Sequence, residues 1–140
     1  MTGQNGWTEP DGCPLYNNDD VNLAAQPFND ILVAQPDLTT LVAVGGWAQY
    51  APAAYTMAVN MVKERVDFKH LYISMGDTFA PQMPLLKQGL SHVNIGQRPY
   101  DMGYEAVMAL HKLHIGETVP PMIETGFQIC LPADADTCGK

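Results

Sequence analysis

Leu41-Val42-Ala43-Val44-Gly45-Gly46-Trp47 is the stretch on which the fold turns. Four apolar residues run without interruption and stop at two glycines, the pattern of a short strand covered on both faces at the centre of a parallel sheet. Upstream, Asp19 or Asp20 can cap a helix that carries Val21, Leu23, Ala24, Phe28, Ile31, Leu32 and Ala34 at helical spacing. Pro36 stops that helix, and Pro27 within it is expected to bend or restart it. Downstream, Ala54, Tyr55, Ala58, Val59 and Val62 form a second helical stripe over residues 52–65.

The same alternation continues to the C-terminus. His70 to Met75 reads as a strand that meets Gly76-Asp77, and residues 81–88 read as a short helix closed by Gly89. Val93-Asn94-Ile95 is a third strand. Residues 100–113 carry a further helical stripe of Met102, Ala106, Val107 and Leu110, ended by Gly116. Met122 to Leu131 is expected to form the last strand, with Gly126 as a bulge. Gly3 to Asp20 reads mostly as loop, with a strand end at Leu15-Tyr16. Strands alternating with helices predict one α/β domain over residues 1–140, built on a mainly parallel sheet.

Composition narrows the function classes. Apolar residues make up 46% of the 140 and charged residues 16%, which is the balance of a packed globule and not of a disordered chain. A net charge of -8 with seven Lys and Arg leaves no basic stripe for nucleic acid or an anionic membrane. No apolar run approaches the ~18 residues that span a bilayer, and the start lacks the basic and apolar regions of a secretory signal. Exported material would therefore carry its signal outside these residues. The chain has no G-x-S-x-G elbow, no Walker loop and no H-E-x-x-H, so an enzymatic role and a cofactor are not expected. His111 and His114 share a helix face but lack the Glu or Cys set that completes a metal site. Met57, Met61, Met102 and Met108 are read as core filling.

Candidate ligand contacts gather where strands end, since open parallel sheets bind ligands beyond their carboxyl edges. Gly45-Gly46-Trp47, Gly76-Asp77-Thr78 and Gly96-Gln97-Arg98 are three such ends. Asp77 can accept hydrogens from paired hydroxyls, Gln97 can donate and accept, and Trp47 offers a flat apolar face to a ring. The plainer readings are a helix cap for Asp77, a core residue for Trp47 and ordinary turns for all three ends. Cys130 and Cys138 flank a short polar stretch that a small disulfide loop could accommodate, in an oxidising compartment; two unpaired thiols are the alternative, and Cys13 is left odd.

From Asn29 to Lys140 the sequence resembles the C-terminal part of ribose-binding-like sugar-binding proteins of bacterial ABC transporters, the periplasmic binding proteins of type I. The residues that carry the resemblance are Asp30-Ile31-Leu32 with Pro36-Asp37, Gly76-Asp77-Thr78 with Leu86-Lys87-Gln88-Gly89, and Gly96-Gln97-Arg98-Pro99-Tyr100-Asp101-Met102-Gly103. The resemblance implies a truncated three-layer α-β-α lobe of flavodoxin-like form, a periplasmic location, a small sugar or polyol as ligand and a membrane permease as partner. It implies that Asp77 and Gln97 bond to sugar hydroxyls; Gly46, Trp47 and Arg98 stay candidate contacts from their place at the strand ends. Gly45-Gly46 followed by Trp47 stands where the family often has an Asn-Asp pair. Family members have two lobes and roughly twice this length, so the first lobe and the first strand-helix units of the second are expected to be missing here. The helix at residues 100–116 would pack on that other lobe. Without it the chain is expected to expose apolar surface, which a homodimer would cover; a dimer with a vestigial pocket is the rival reading to a binding module.

Overall fold

A computed structural model describes residues 3–65 and 71–139. Helix α1 (Val21–Ala34) starts where Asp20 Oδ1 accepts from the backbone N–H groups of Asn22 and Leu23, which satisfies two donors that a helix start leaves unpaired. Asp20 is thus the cap, and Pro27 lies inside one unbroken helix. Strand β1 (Thr40–Val42) leads through Gly45-Gly46 into a 3-10 turn, Trp47–Tyr50, and then helix α2 (Pro52–Arg65). Strand β2 (Tyr72–Gly76), helix α3 (Met83–Lys87), strand β3 (Val93–Gly96), helix α4 (Pro99–His114) and strand β4 (Gln128–Cys130) follow.

The four strands lie in the order β1-β2-β3-β4, the first three parallel and β4 antiparallel. The α/β class with a mainly parallel sheet is therefore as read from the sequence. Three local expectations are corrected, and one lies outside the described residues. Among the described residues β1 pairs on one side only, so it is an edge strand and not the central one. The last strand, expected from Met122 to Leu131, is confined to Gln128–Cys130, because Gly126 turns left-handed at φ 71 and breaks the extended run before it. Leu15-Tyr16 forms no strand; the residues are exposed among turn-forming neighbours. His70, expected in the second strand, lies outside the described residues, and β2 begins at Tyr72.

The core forms on one face of the sheet. Ala24, Phe28 and Leu32 of α1 and Tyr55, Ala58, Val59 and Val62 of α2 pack on Leu71, Ile73 and Met75. The Phe28 and Tyr55 rings meet with centroids 4.8 Å apart, and the Tyr55 hydroxyl donates to Leu90 O at 2.8 Å. Burial pushes the Tyr55 phenol well above its ordinary range, so it acts as a neutral donor. A smaller cluster of Met83, Leu86, Cys130 and Ala135 sits under α3. Cys130 and Cys138 form a disulfide, which settles their sequence alternatives, and Cys13 is free.

Among the described residues the other face is bare. Strand register puts Ile73, Met75 and Asn94 inward and leaves Val42, Tyr72, Ile95 and Ile129 outward, all exposed. Val44, just past β1, is 97% exposed, and α4 buries none of its residues. A compact monomer of this mass would expose about 7,100 Å²; this chain, at 15.3 kDa, exposes 9427 Å².

Candidate functional site

The carboxyl ends of β1 and β2 are tied together by one side chain. Asp77 follows directly on β2, its N–H donates to Ile95 O of β3 at 2.9 Å, and its Oδ2 accepts from Gly46 N–H at 2.9 Å. Its backbone is left-handed, φ 64, a conformation that Asp tolerates better than most residues but that still needs support. Support comes from Asn94, whose Nδ2 donates to Asp77 O at 3.1 Å. Asp77 therefore caps no helix. It is a partly buried carboxylate held across the sheet edge.

Beneath it lies a closed set of buried amides. Gln49, Gln82, Ser91 and Asn94 are all 0% exposed. Gln49 Oε1 accepts from Gln82 Nε2 at 2.8 Å and from Asn94 Nδ2 at 2.9 Å, while Gln49 Nε2 donates to Ser91 Oγ at 3.2 Å. Ser91 Oγ donates to Asn94 Oδ1 at 2.8 Å. Gln82 Nε2 donates to Gly76 O at 2.9 Å, and Gln82 Oε1 accepts from Phe79 N–H at 2.9 Å. Among the described residues no buried side-chain polar atom lacks a partner, so a cluster that would be costly half-satisfied is complete.

Glycines make room for this arrangement. A Cβ on Gly45 would enter the six-membered ring of Trp47, and one on Gly46 would lie 2.5 Å from Gln82 Nε2. A Cβ on Gly96 would strike the Thr78 side chain, whose hydroxyl donates to Gln128 Oε1 at 2.8 Å and so links the loop after β2 to β4.

The five residues singled out in the sequence fall into two groups. Gly46 and Asp77 are brought into direct contact, and the Gly46 N–H serves to orient the carboxylate. Trp47 is half-buried, folds over Gly45 and packs against the core. Gln97 extends from β3 at the same sheet edge, exposed and with no side-chain hydrogen bond among the described residues. Arg98 turns to α4, with Nε 2.7 Å from Asp101 Oδ2 and Nη1 3.5 Å from Thr125 O.

Sequence reasoning did not single out Tyr50, which lies within electrostatic reach of Asp77, or Phe79, which pairs with it. Their ring centroids are 6.4 Å apart with planes tilted by 37°. Burial raises the Tyr50 phenol above its ordinary value, and the nearby Asp77 carboxylate raises it further. An aromatic residue two positions after Asp77, in a loop of small and polar residues, was the available signal.

His92 lies on the same strand system but serves the fold: its Nδ1 accepts from Ile73 N–H at 3.1 Å, and burial, then Lys63, lowers its pKa. Among the described residues no group of three His, Cys, Asp or Glu could hold a metal ion, and His111 and His114 are exposed.

No family model matches the chain and no curated protein matches its sequence. Solved structures do. The chain superposes on an ABC transporter solute binding protein from Agrobacterium vitis, solved with bound D-fucose, with a TM-score of 0.72, 22% identity and 89% of this chain covered. It superposes on GanP, a glucose-galactose binding protein from Geobacillus stearothermophilus, with a TM-score of 0.68, 22% identity and 84% covered. The arabinose binding protein AraP from the same organism gives a TM-score of 0.63, 21% identity and 84% covered. In each case this chain spans about two fifths of the matched structure, 40%, 41% and 41% respectively for GanP, the Agrobacterium protein and AraP. A likeness of this depth at such low identity is a statement about fold: the chain has the α/β fold of a periplasmic binding protein of type I, over part of that fold's length.

Proposed function

We propose that this chain binds a small sugar or polyol and is the solute-binding component, or a piece of it, of a bacterial ABC transporter. It works by binding and release in the periplasm and delivery to a membrane permease, with no bond chemistry. The carrying observation is Asp77, a carboxylate fixed by Gly46 N–H and Asn94 at the edge where open α/β sheets take ligands. Oδ1 is left to accept from ligand hydroxyls. Gln97, beyond β3, supplies a carboxamide that donates and accepts. Trp47 and Arg98 contribute from the margins, through packing and through the ion pair with Asp101. The fold shared with structures of sugar-binding proteins supports the reading. In it, residues 1–140 are one α/β domain matching the C-terminal part of a two-lobe protein, and the unburied helix α4 is where the other lobe would rest.

A thermal-shift screen against pentoses, hexoses and polyols tests it. A sugar at ten times its Kd stabilises the folded chain by about 1.4 kcal/mol, a rise in Tm of about 5 °C. Asp77→Ala should remove the rise, and Gln97→Ala should weaken it. A parent chain that melts cooperatively with no shift from any sugar overturns the proposal.

The bare sheet face favours a second reading, a homodimer that covers Val42, Val44, Ile95 and Ile129 with a second copy. The exposed area exceeds that of a compact monomer by about 2,300 Å², as much as a large interface hides. Light scattering at micromolar concentration is expected to give twice the chain mass on this reading, and a monodisperse monomer removes it.

A further inference from the structure

We infer that the Cys130–Cys138 disulfide is a redox-sensitive latch on the Asp77 edge. Closed, it holds the segment after β4 against the loop that follows Asp77; opened by a dithiol, it releases that loop while the main core stays folded. Only its effect on a ligand rests on the sugar-binding reading.

Three observations carry it. First, the bond lies apart from the main core. Helices α1 and α2 pack on Leu71, Ile73 and Met75, whereas Cys130 is buried with Met83, Leu86 and Ala135 in the smaller cluster, and Cys138 packs against that one. Second, the segment that the bond holds lies on the Asp77 loop. At Gly139, next to Cys138, an added Cβ would lie 2.6 Å from Thr78 O, 3.2 Å from Met83 Cγ and 3.5 Å from Ala80 N. Gly139 is left-handed, φ 75, so glycine supplies both the turn and the close approach. The strand before the bond grips the same loop, because Thr78 Oγ1 donates to Gln128 Oε1 at 2.8 Å, two residues before Cys130. Third, the other ties on the segment are weak. Asp134 Oδ2 accepts from Leu131 N–H, Asp134 O accepts from Thr137 Oγ1, and Lys87 pairs with Asp136, all of them exposed to solvent. Exposed ties of this kind contribute little.

The two sulfurs are unequally accessible. Cys130 is 0% exposed and Cys138 is partly exposed, so a dithiol's thiolate attacks Cys138 Sγ and the Cys130 sulfur leaves as thiolate. The dithiol's second thiolate attacks its own first sulfur and expels the Cys138 thiolate. Two electrons pass to the cysteines, which take up two protons, and the dithiol ends as a cyclic disulfide. Residues 131–139 are then held by the exposed ties alone. Asp77, at φ 64, loses a neighbouring loop that keeps its left-handed backbone in place.

Amide hydrogen exchange followed by NMR tests the latch, with and without dithiothreitol, in a Cys13→Ser background that leaves the pair as the only cysteines. Phe79 N–H, bonded to Gln82, and Gly46 N–H, bonded to Asp77, should exchange at least about tenfold faster after reduction. Tyr55 and Ile73 N–H, in the main core, should stay within about twofold. Gly139→Ala keeps the disulfide but drives the segment off Thr78 O, so it should speed Phe79 and Gly46 exchange in the oxidised chain. A sugar that registers in the thermal screen should bind the reduced chain about tenfold more weakly. Unchanged protection of Phe79 and Gly46 after reduction overturns the latch. Equal loss at Tyr55 and Ile73 also overturns it, since the bond is then a staple of the whole chain. A sugar that binds both forms alike overturns the effect on the ligand. An oxidised chain that binds no sugar counts against the sugar reading, and the exchange rates decide the latch without it.

Discussion

Gly76→Ala is expected to cost about 3 kcal/mol or more and to abolish any ligand binding, although it adds one methyl group. At Gly76 an added Cβ would overlap Val44 O and lie 2.5 Å from Val44 C and 2.6 Å from Gly45 Cα. Every one of these atoms is backbone, so no side chain can swing aside. Relief requires β1 and β2 to separate at their carboxyl ends, where the Gly46 to Asp77 hydrogen bond joins them. Urea unfolding should show a lower midpoint with an unchanged m-value. Gly103→Ala is the matched comparison, because nothing lies within 4 Å of a Cβ there. A midpoint for Gly76→Ala equal to that of Gly103→Ala would show that the strands part freely and that the contact carries no weight.

Asn94→Leu is expected to be the most damaging change of a similar volume. It removes the donor to Asp77 O and Gln49 Oε1 and the acceptor for Ser91 Oγ, leaving polar groups without partners in a site closed to water. Each unsatisfied group costs about 1–3 kcal/mol, so a loss of about 4 kcal/mol and a fall in Tm of more than about 10 °C are expected. Asn94→Asp is the informative partner variant: it keeps the acceptor for Ser91 but faces Gln49 Oε1 and Asp77 O with acceptors only, and should be no better tolerated. A thermal melt of either variant within about 2 °C of the parent would mean that water enters and satisfies the exposed partners.

Much of this architecture can be read from residue order, and the failures have physical causes. The stripes of α1 and α2 and the endings of β2 and β3 at Gly76 and Gly96 follow from spacing and from glycine, because local preference and burial agree there. The run Leu41 to Val44 misleads because an apolar run records what a strand tolerates on each face and not what covers it. In the structure Leu41 and Ala43 pack inward while Val42 and Val44 face outward. Trp47, a large aromatic after a glycine pair, reads as ligand surface, and only the structure shows that its ring fills the space a Cβ on Gly45 would take. Gln49, Gln82 and Asn94 escape notice because a carboxamide in a turn or a short strand reads as solvated, and only the fold brings three of them together from positions 49, 82 and 94. Asp77 is the residue for which both levels agree on the place, with the structure adding its support from Gly46 and Asn94.

The buried amides also decide how the molecule meets a changing exterior. Carboxamides, a serine hydroxyl and backbone carbonyls neither gain nor lose a proton across the ordinary range of pH. Tyr55, the phenol nearest them, is pushed further from ionising by its burial. The cluster beneath the sheet edge is therefore held together by groups that acid and mild alkali leave untouched, and its internal hydrogen bonds do not change with pH.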